Sequence, residues 1–165
     1  MTGGMGWPMP GGMQQPSILF VCLGNICRSP LAEAAFRQAA QEAGLKVTVD
    51  SAGTGNWHAG HAPDPRACAQ ALAQGIDISG YRARQVSRED FTRFGHIFAL
   101  DRNNLADLQK LRPAGATAQL SLLLDLVPGQ EGQSVADPYY GGPEDFAQTW
   151  DEVSEAAQAL VKRLA

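Results

Sequence analysis

Residues 18–30 read ILFVCLGNICRSP, and this stretch decides the fold. Ile18 to Val21 is a short continuous apolar run, which is typical of a strand buried on both faces. Ser29 and Pro30 then indicate the start of a helix, because serine can cap a helix and proline suits its first position. The stretch therefore predicts a buried strand that leads through a short loop into a helix.

The chain on either side of this stretch has a simple organisation. Residues 1–16, rich in Gly, Pro and Met, predict a flexible N-terminal tail, and residues 17–165 predict one domain. Within the domain, strand and helix signals alternate. Further strands are predicted at 47–49, at 96–100 and around Leu120, Leu122 and Leu124. Helices are predicted from Ser29 to Gly44, at 63–74, at 87–94 with Ser87 as its cap, and at 143–164. A further helix is predicted from Asp101 to Pro113, with Leu105, Leu108 and Leu111 on one face. This alternation predicts an α/β fold in three layers, with a four-stranded, mostly parallel twisted sheet and helices on both faces.

Composition and charge exclude several classes of protein. A formal charge of −4 gives no electrostatic reason to expect nucleic acid or a membrane as a partner. Three cysteines, an odd number, without an apolar leader do not indicate a secreted disulfide framework. No stretch approaches the roughly 18 apolar residues of a membrane span. We therefore expect a cytoplasmic protein.

The loop from Cys22 to Ser29 is the first candidate site. A loop that ends on a helix N-terminus presents backbone N–H groups and a partial positive charge to an anion, and Gly24 and Asn25 tolerate the positive φ that a tight loop often needs. Such surroundings favour a thiolate, and Arg28 adds a planar fork that suits two phosphate oxygens. Cys22 is therefore predicted to attack phosphorus and form a phosphocysteine, with the Ser29 hydroxyl stabilising the thiolate. Cysteine and arginine at this spacing are common by chance, and a buried cysteine with a surface arginine is the structural alternative; the position between strand and helix favours chemistry.

A second candidate cluster, DPYYGG at residues 137–142, precedes the last helix. Departure of a phenolate is helped by a proton donor, and Asp137 is a suitable one. Tyr139 and Tyr140 offer aromatic faces to a substrate ring. An Asp-Pro turn with two aromatic residues packed on the core would explain this cluster taken alone, whereas together with the phosphate loop it favours a proton donor.

The run VCLGNICRSP at residues 21–30, followed by Leu31-Ala32-Glu33, resembles the signature of the low-molecular-weight protein tyrosine phosphatases. The resemblance extends over nearly the whole chain from Ser17. The further matching motifs, in the family's order, are SAGT at 51–54, ARQ at 83–85, Asp101 with Asn104, and DPY at 137–139. This combination implies a phosphatase that hydrolyses phosphotyrosine and small aryl phosphates in two steps, without a metal or organic cofactor.

The resemblance also implies a role for each site residue. Cys22 is the nucleophile, Arg28 the phosphate clamp, and Asp137 the general acid and then the general base. The phosphate-binding loop comprises Leu23, Gly24, Asn25, Ile26, Cys27 and Ser29. Asn25 and Ser51 hold the loop in shape, Asp101 orients Arg28 or braces the loop, and Trp57, Tyr139 and Tyr140 line the slot for the substrate ring. A phosphotyrosine protein is the implied partner, a tyrosine kinase being one candidate, and the implied assembly is a monomer or a weak homodimer.

Two further cysteines and one departure from the family pattern give additional expectations. The resemblance implies that Cys27 forms a reversible disulfide with Cys22, which would protect the nucleophile from deeper oxidation. Cys68 lies in a predicted helix and is expected to be a small core residue. The family commonly has histidine where this chain has Tyr81, so we expect either a tyrosine hydrogen bond to the loop asparagine or a different brace.

Other functions use the same scaffold or the same residues. A thioredoxin-coupled arsenate reductase needs two more cysteines, and residues 76–98 contain none. A protein arginine phosphatase has threonine at the position of Ile26. A phosphatase of free amino acids or small aryl phosphates uses the same mechanism and stays open. A phosphotyrosine-binding module would not need Cys22, Arg28 and Asp137 together. No metal site is predicted, because no third ligand follows His58 and His61 at a typical spacing; both are expected in a solvated loop.

Overall fold

The computed structural model describes residues 15–165 of the chain. Within this range it has four parallel strands: β1 Ser17–Cys22, β2 Thr48–Gly53, β3 His96–Ala99 and β4 Gln119–Leu122. They lie side by side in the order β2-β1-β3-β4. The helices are α1 Arg28–Glu42, α2 Pro65–Ala73, α3 Asp90–Arg93, α4 Arg102–Leu111 and α5 Pro143–Leu164, with a 3₁₀ helix at Leu123–Leu126. The predicted α/β fold is confirmed.

The alternation of side chains along β1 divides the core between the two faces of the sheet. Ile18, Phe20 and Cys22 belong to one buried cluster, which also contains residues of α1, α2 and α5. Leu19 and Val21 belong to the other cluster, with residues of α3 and α4. Both faces of the central strand are therefore covered by helices, and Cys22 lies on the face that carries α1 and α5.

Helix α5 has the bounds that its periodicity predicts. It begins at Pro143 after Gly142, whose N–H donates to the carboxylate of Asp145 at 2.8 Å. Acidic residues in its first turn and basic residues in its last turn complement the helix dipole. Its buried face contains Phe146, Trp150, Val153, Ala157 and Leu160, which recur at steps of four and three residues. This face covers α1 and closes one side of the core.

Four local predictions were wrong. The helix predicted at 87–94 with Ser87 as its cap is only α3, Asp90–Arg93, and Glu89 rather than Ser87 occupies its N-cap position. Ser29 does not cap α1: Cys27 occupies the N-cap position, and Ser29 is buried in the first helical turn. Leu124 lies in the 3₁₀ helix rather than in β4, because the chain tightens directly after Leu122. Leu111 is 47% exposed, because α4 ends there and its last turn extends past the core.

Residues 15 and 16, at the N-terminal edge of the described range, bond to the start of β2. Residues 1–14 of the predicted tail lie outside the described residues. The Gln15 side chain donates to Thr48 Oγ1 at 2.8 Å, and the Thr48 N–H donates to the Pro16 carbonyl at 2.8 Å. Within residues 15–165, no helix has both the length and the apolar character needed to cross a bilayer.

Candidate active site

The loop after β1 lies at the carboxyl ends of the parallel strands, where α/β folds bind ligands. Cys22 is the last residue of β1 and is 3% exposed. The Asn25 N–H donates to Cys22 Sγ at 3.3 Å. Asn25 has φ of 59°, the left-handed region that the sequence predicted for this loop. The chain thereby folds back over the sulfur within three residues.

The hydrogen bonds around the Cys22 sulfur have a defined direction. Asn25 Nδ2 donates to Ser29 Oγ at 2.8 Å and to Ser51 Oγ at 3.0 Å. Ser29 Oγ lies 3.0 Å from Cys22 Sγ. Because Ser29 Oγ accepts from Asn25, its own proton is free to point at the sulfur. The arrangement suits a thiolate at position 22.

Glu33 fixes the other end of this chain of hydrogen bonds. The Ser51 hydroxyl donates to Glu33 Oε1 at 2.8 Å, and Arg37 Nε donates to Glu33 Oε2 at 2.9 Å. Burial raises the pKa of Glu33, while the hydrogen bonds from Ser51 and Arg37 oppose that rise. Since Ser51 donates to Glu33, its oxygen is left to accept from Asn25, which settles the orientation of the Asn25 amide.

The side-chain amide oxygen of Asn25 accepts a hydrogen bond from a third segment of the chain. The backbone N–H of Arg84 donates to Asn25 Oδ1 at 3.0 Å. The Arg84 side chain is itself fixed by two bonds to the buried Asp90, at 2.9 and 3.0 Å. Of the two alternatives predicted at Tyr81, the structure has the second, a different brace for the loop asparagine. Ser29, Ser51 and Arg84 form the hydrogen bonds of the Asn25 side chain. Tyr81 instead lies near Glu33 and Arg37.

Arg28 is 3% exposed and is anchored along one edge of its guanidinium group. Its Nη1 donates to Asp101 Oδ2 at 2.7 Å and to the Val135 carbonyl at 2.9 Å. Its Nη2 lies 3.7 Å from Asp137 Oδ2. Burial disfavours the charged form, but Cys22, Asp101 and Asp137 outweigh it and raise the pKa of Arg28. The group is therefore a permanent cation whose orientation is fixed.

A cavity of about 250 Å³ opens over the sulfur. The predicted catalytic residues and slot residues meet in its wall together with most of the predicted loop, whereas the loop residues Asn25 and Ser29 do not line it. The lining residues are Cys22, Leu23, Gly24, Ile26, Cys27, Arg28, Trp57, His58, Asp137, Tyr139 and Tyr140. Trp57 is 66% exposed and Tyr140 95% exposed, so these two rings form the mouth, whereas the buried Cys22 and Arg28 form the floor. This geometry can admit a flat aromatic group that carries an anion at its tip.

The sequence predicts His58 in a solvated loop, and this prediction is only partly right. It lines the cavity, and a Cβ atom added at Gly24 would be 3.0 Å from His58 Cδ2. Gly24 is thus needed for close packing rather than for a positive φ. His61 is exposed, as expected. Among residues 15–165, no three His, Cys, Asp or Glu side chains gather as a group that could hold a metal ion.

Sequence reasoning missed several residues that shape the site. Glu33 is only one residue of the signature run in the sequence, although its spacing to Arg37 is that of a helical ion pair. The Val135 carbonyl has no side-chain signal at all. Asp64 and Arg66 were not singled out, yet the Asp64 N–H donates to the Ile26 carbonyl of the loop at 2.9 Å. These contacts depend on how distant segments meet.

All three cysteines are free thiols. Cys27 is buried beside the cavity, and burial, followed by the charges of Asp64, Cys22 and Asp137, raises its pKa well above the ordinary range. Cys68 is half-buried, its sulfur facing the Pro63 carbonyl at 3.7 Å. Cys27 is therefore a protonated thiol next to the candidate nucleophile, whereas Cys68 belongs to α2.

Comparison with known proteins yields one consistent group. The profile of the family described as low molecular weight phosphotyrosine protein phosphatase matches residues 17–165. A low molecular weight phosphotyrosine protein phosphatase of Schizosaccharomyces pombe is 41% identical over 90% of this chain and 96% of its own length. The crystal structure of a protein tyrosine phosphatase from Entamoeba histolytica superposes with a TM-score of 0.85 at 35% identity, covering 91% of this chain and 97% of that one. A Drosophila arginine phosphatase structure gives a TM-score of 0.83 at 30% identity, covering 88% and 95%.

Proposed function

Because this chain belongs to the low molecular weight phosphotyrosine protein phosphatase family, we propose that it hydrolyses phosphotyrosine and small aryl phosphates through a phosphocysteine intermediate. The observation that carries the proposal is the meeting of three groups in the wall of one cavity. They are the Cys22 sulfur, the Arg28 guanidinium and the Asp137 carboxyl group. In this scheme they are nucleophile, phosphate clamp and general acid/base.

In the first step, the Cys22 thiolate attacks phosphorus. An S–P bond forms as the ester P–O bond breaks, and Asp137 donates its proton to the departing phenolate. The edge of Arg28 that carries Nη1 is occupied by Asp101 and Val135, so the remaining N–H groups are available to the phosphoryl oxygens. The N-terminal end of α1 adds a partial positive charge at the same place.

In the second step, water attacks the phosphocysteine. The Asp137 carboxylate accepts a proton from this water, the S–P bond breaks, and inorganic phosphate leaves. The returning Cys22 thiolate is stabilised by the Ser29 hydroxyl and by the Asn25 N–H, at 3.0 and 3.3 Å. The same two donors thus make cysteine a good nucleophile in one step and a good leaving group in the next.

The wall of the cavity supports an aromatic substrate. Trp57, Tyr139 and Tyr140 stand at the mouth, with the rings of Tyr139 and Tyr140 edge to face at 4.9 Å between centroids. Leu23 and Ile26 add apolar surface. A phenyl ring can pack between these side chains while its phosphate reaches the floor.

The decisive test is phosphate release from a phosphotyrosine peptide, with phosphoarginine as competitor, by wild type, Cys22→Ser and the matched control Cys68→Ser. We expect turnover by wild type and by Cys68→Ser, loss of more than about 10³-fold in Cys22→Ser, and weak competition by phosphoarginine. Absence of turnover by folded wild type would favour a phosphotyrosine-binding module. Preference for phosphoarginine would assign the chain to the arginine phosphatases, to one of which it is also structurally similar.

From the sequence we also propose a cytoplasmic location, a phosphotyrosine protein or tyrosine kinase as partner, and a monomer or weak homodimer as the assembly.

A further inference from the structure

Arg66 lies behind the cavity wall, in the first turn of α2, and one side of it is fixed to the phosphate loop. Its Nε donates to Asp64 Oδ1 at 3.0 Å and its Nη2 donates to Asp64 Oδ2 at 2.9 Å. The Asp64 N–H in turn donates to the Ile26 carbonyl at 2.9 Å. The hydrogen bonds from Arg66 lower the pKa of Asp64, so this two-pronged ion pair persists at neutral pH.

The other side of Arg66 contacts the segment that carries Asp137. Arg66 Nη1 donates to the Gly141 carbonyl at 3.2 Å. The guanidinium carbon lies 5.4 Å from the centroid of the Tyr139 ring and 4.7 Å from that of the Phe146 ring, both within cation–π range. Phe146 is 1% exposed and belongs to the first turn of α5. Arg66 therefore joins the phosphate loop, residues 137–142 and the start of α5.

The position of the Asp137 carboxyl group depends on this segment. The side chain of Asp137 is 45% exposed. Its Oδ1 accepts from the Tyr139 N–H at 3.1 Å, and its Oδ2 is 3.7 Å from Arg28, too long for a hydrogen bond. The backbone at Tyr139 thus orients the carboxyl group, and a misplacement of about 1 Å can lower a catalytic rate by about 10²-fold.

We propose that Arg66 is a positioning residue that sets the proton-donating segment, residues 137–142, at the correct distance from the phosphate loop. The proposal rests on the proposed function, in which Asp137 protonates the leaving group. Arg66 does not line the cavity and acts through Asp137. Its loss should impair proton delivery while leaving phosphate binding and thiolate attack largely intact.

The experiment compares kcat/KM for phenyl phosphate, whose leaving group needs a proton, and for p-nitrophenyl phosphate, whose leaving group needs it less. Arg66→Ala should lose about 10- to 100-fold on phenyl phosphate and less than about threefold on p-nitrophenyl phosphate, with inhibition by orthovanadate unchanged. Arg66→Lys should regain part of the loss, because it keeps the cation beside Asp64 but lacks the planar fork. Arg93→Ala is the control: it removes an arginine that lies 5.1 Å from the Phe94 ring, away from the cavity.

A double-mutant cycle separates positioning from a general structural effect. In the Asp137→Asn background, Arg66→Ala should cause almost no further loss on phenyl phosphate, because the group it positions is already absent. Equal losses on both substrates, or additive losses in the double variant, would overturn the proposal while leaving the proposed function intact. A wild type without phosphatase activity would overturn both. If Arg66→Ala does not fold, Arg66→Lys alone decides between unequal and equal losses on the two substrates.

Discussion

The Ser29 hydroxyl oxygen lies 3.0 Å from the Cys22 sulfur and also accepts a hydrogen bond from Asn25 Nδ2 at 2.8 Å. The second bond determines the first, because an oxygen that already accepts from Asn25 can direct its own proton at the sulfur. Glu33 lies four hydrogen bonds from the Cys22 sulfur. Because an ionised carboxylate can only accept, Glu33 sets the donor-to-acceptor direction of all the hydrogen bonds in this series. In the proposed mechanism, the stabilisation of the Cys22 thiolate therefore originates in a carboxylate buried beneath the loop.

We expect Ser29→Ala to lower kcat by about 10- to 100-fold, since a hydrogen bond to a charged group contributes about 1.5–3 kcal/mol. The alkylation of Cys22 by iodoacetamide should also slow, because the thiolate loses a donor. Kinetics on p-nitrophenyl phosphate and the rate of alkylation measure the two effects. Ser154→Ala is a suitable control, since the buried Ser154 hydroxyl on α5 has no hydrogen-bond partner among the described residues. Unchanged alkylation in Ser29→Ala would contradict the assignment of the donor.

Asp101 both caps helix α4 and orients the Arg28 side chain. Its Oδ1 accepts from the Asn104 N–H at 2.7 Å, and its Oδ2 accepts from Arg28. Asparagine also caps helices well, so Asp101→Asn should preserve α4 and the melting temperature. It should weaken inhibition by inorganic phosphate about tenfold, because a charge-assisted bond to Arg28 is lost.

Asp125→Asn provides the matched control for this prediction. Asp125 also accepts backbone N–H groups, from Leu122 at 3.2 Å and Gly132 at 2.8 Å, but it does not line the cavity. Phosphate inhibition should be normal in this variant. Equal phosphate affinity in Asp101→Asn and wild type would mean that the Val135 carbonyl alone orients Arg28.

The parts of the fold and site that the sequence predicted are those determined within short segments. The apolar run of β1, the loop after it and the periodicity of α5 each depend on neighbouring residues, and each was located within a few positions. Asp101 was expected to open a helix and does so as its N-cap. Such features depend on local conformation, so residue type and spacing suffice to find them.

The parts that could not be predicted depend on the meeting of distant segments. Ser51 reaches Glu33 because β2 pairs with β1 in the register that sets Ser51 beside Phe20. His58 enters the cavity wall through the conformation of a loop that has no periodic signal. The Val135 carbonyl bonds to Arg28 across 107 positions and involves no side chain of its own. In each case tertiary packing creates the contact after local structure has formed.

We expect Asp137→Asn to reduce kcat/KM for phenyl phosphate by about 10²- to 10⁴-fold, because asparagine cannot donate a carboxyl proton to the leaving oxygen. For p-nitrophenyl phosphate the loss should be much smaller. Steady-state kinetics on a series of phenyl phosphates would show a steeper dependence on leaving-group acidity in the variant than in wild type. Glu144→Gln changes an exposed acid just after residues 137–142 and should leave the dependence on leaving-group acidity unaltered. Equal losses over the whole series would remove the general-acid role from Asp137.

Oxidation should distinguish Cys27 from Cys68. We expect peroxide to convert the Cys22 thiolate to a sulfenic acid, which can condense with the Cys27 thiol to form a disulfide and release water. We expect dithiothreitol to restore most activity to peroxide-treated wild type and little to Cys27→Ala, whose Cys22 is open to irreversible oxidation. Cys68→Ala should recover as wild type does. Equal recovery by Cys27→Ala, or intact-mass spectra without a loss of two hydrogens, would argue against this disulfide.

His96 should make the stability of the fold depend on pH. Its side chain is buried at the start of β3, where its ring stacks on that of Phe98 at 5.9 Å, and burial lowers the pKa of His96 to about 4. Between about pH 6.5 and 4 the unfolded chain therefore binds a proton that the folded protein does not, so stability falls as the pH decreases through this window. His96→Gln should remove about 2–3 kcal/mol of the difference in unfolding free energy between pH 7 and pH 4.5. Urea unfolding at both pH values measures this, with the exposed His61→Gln as control. A pH dependence shared by wild type and both variants would show that other groups, and not His96, govern acid stability.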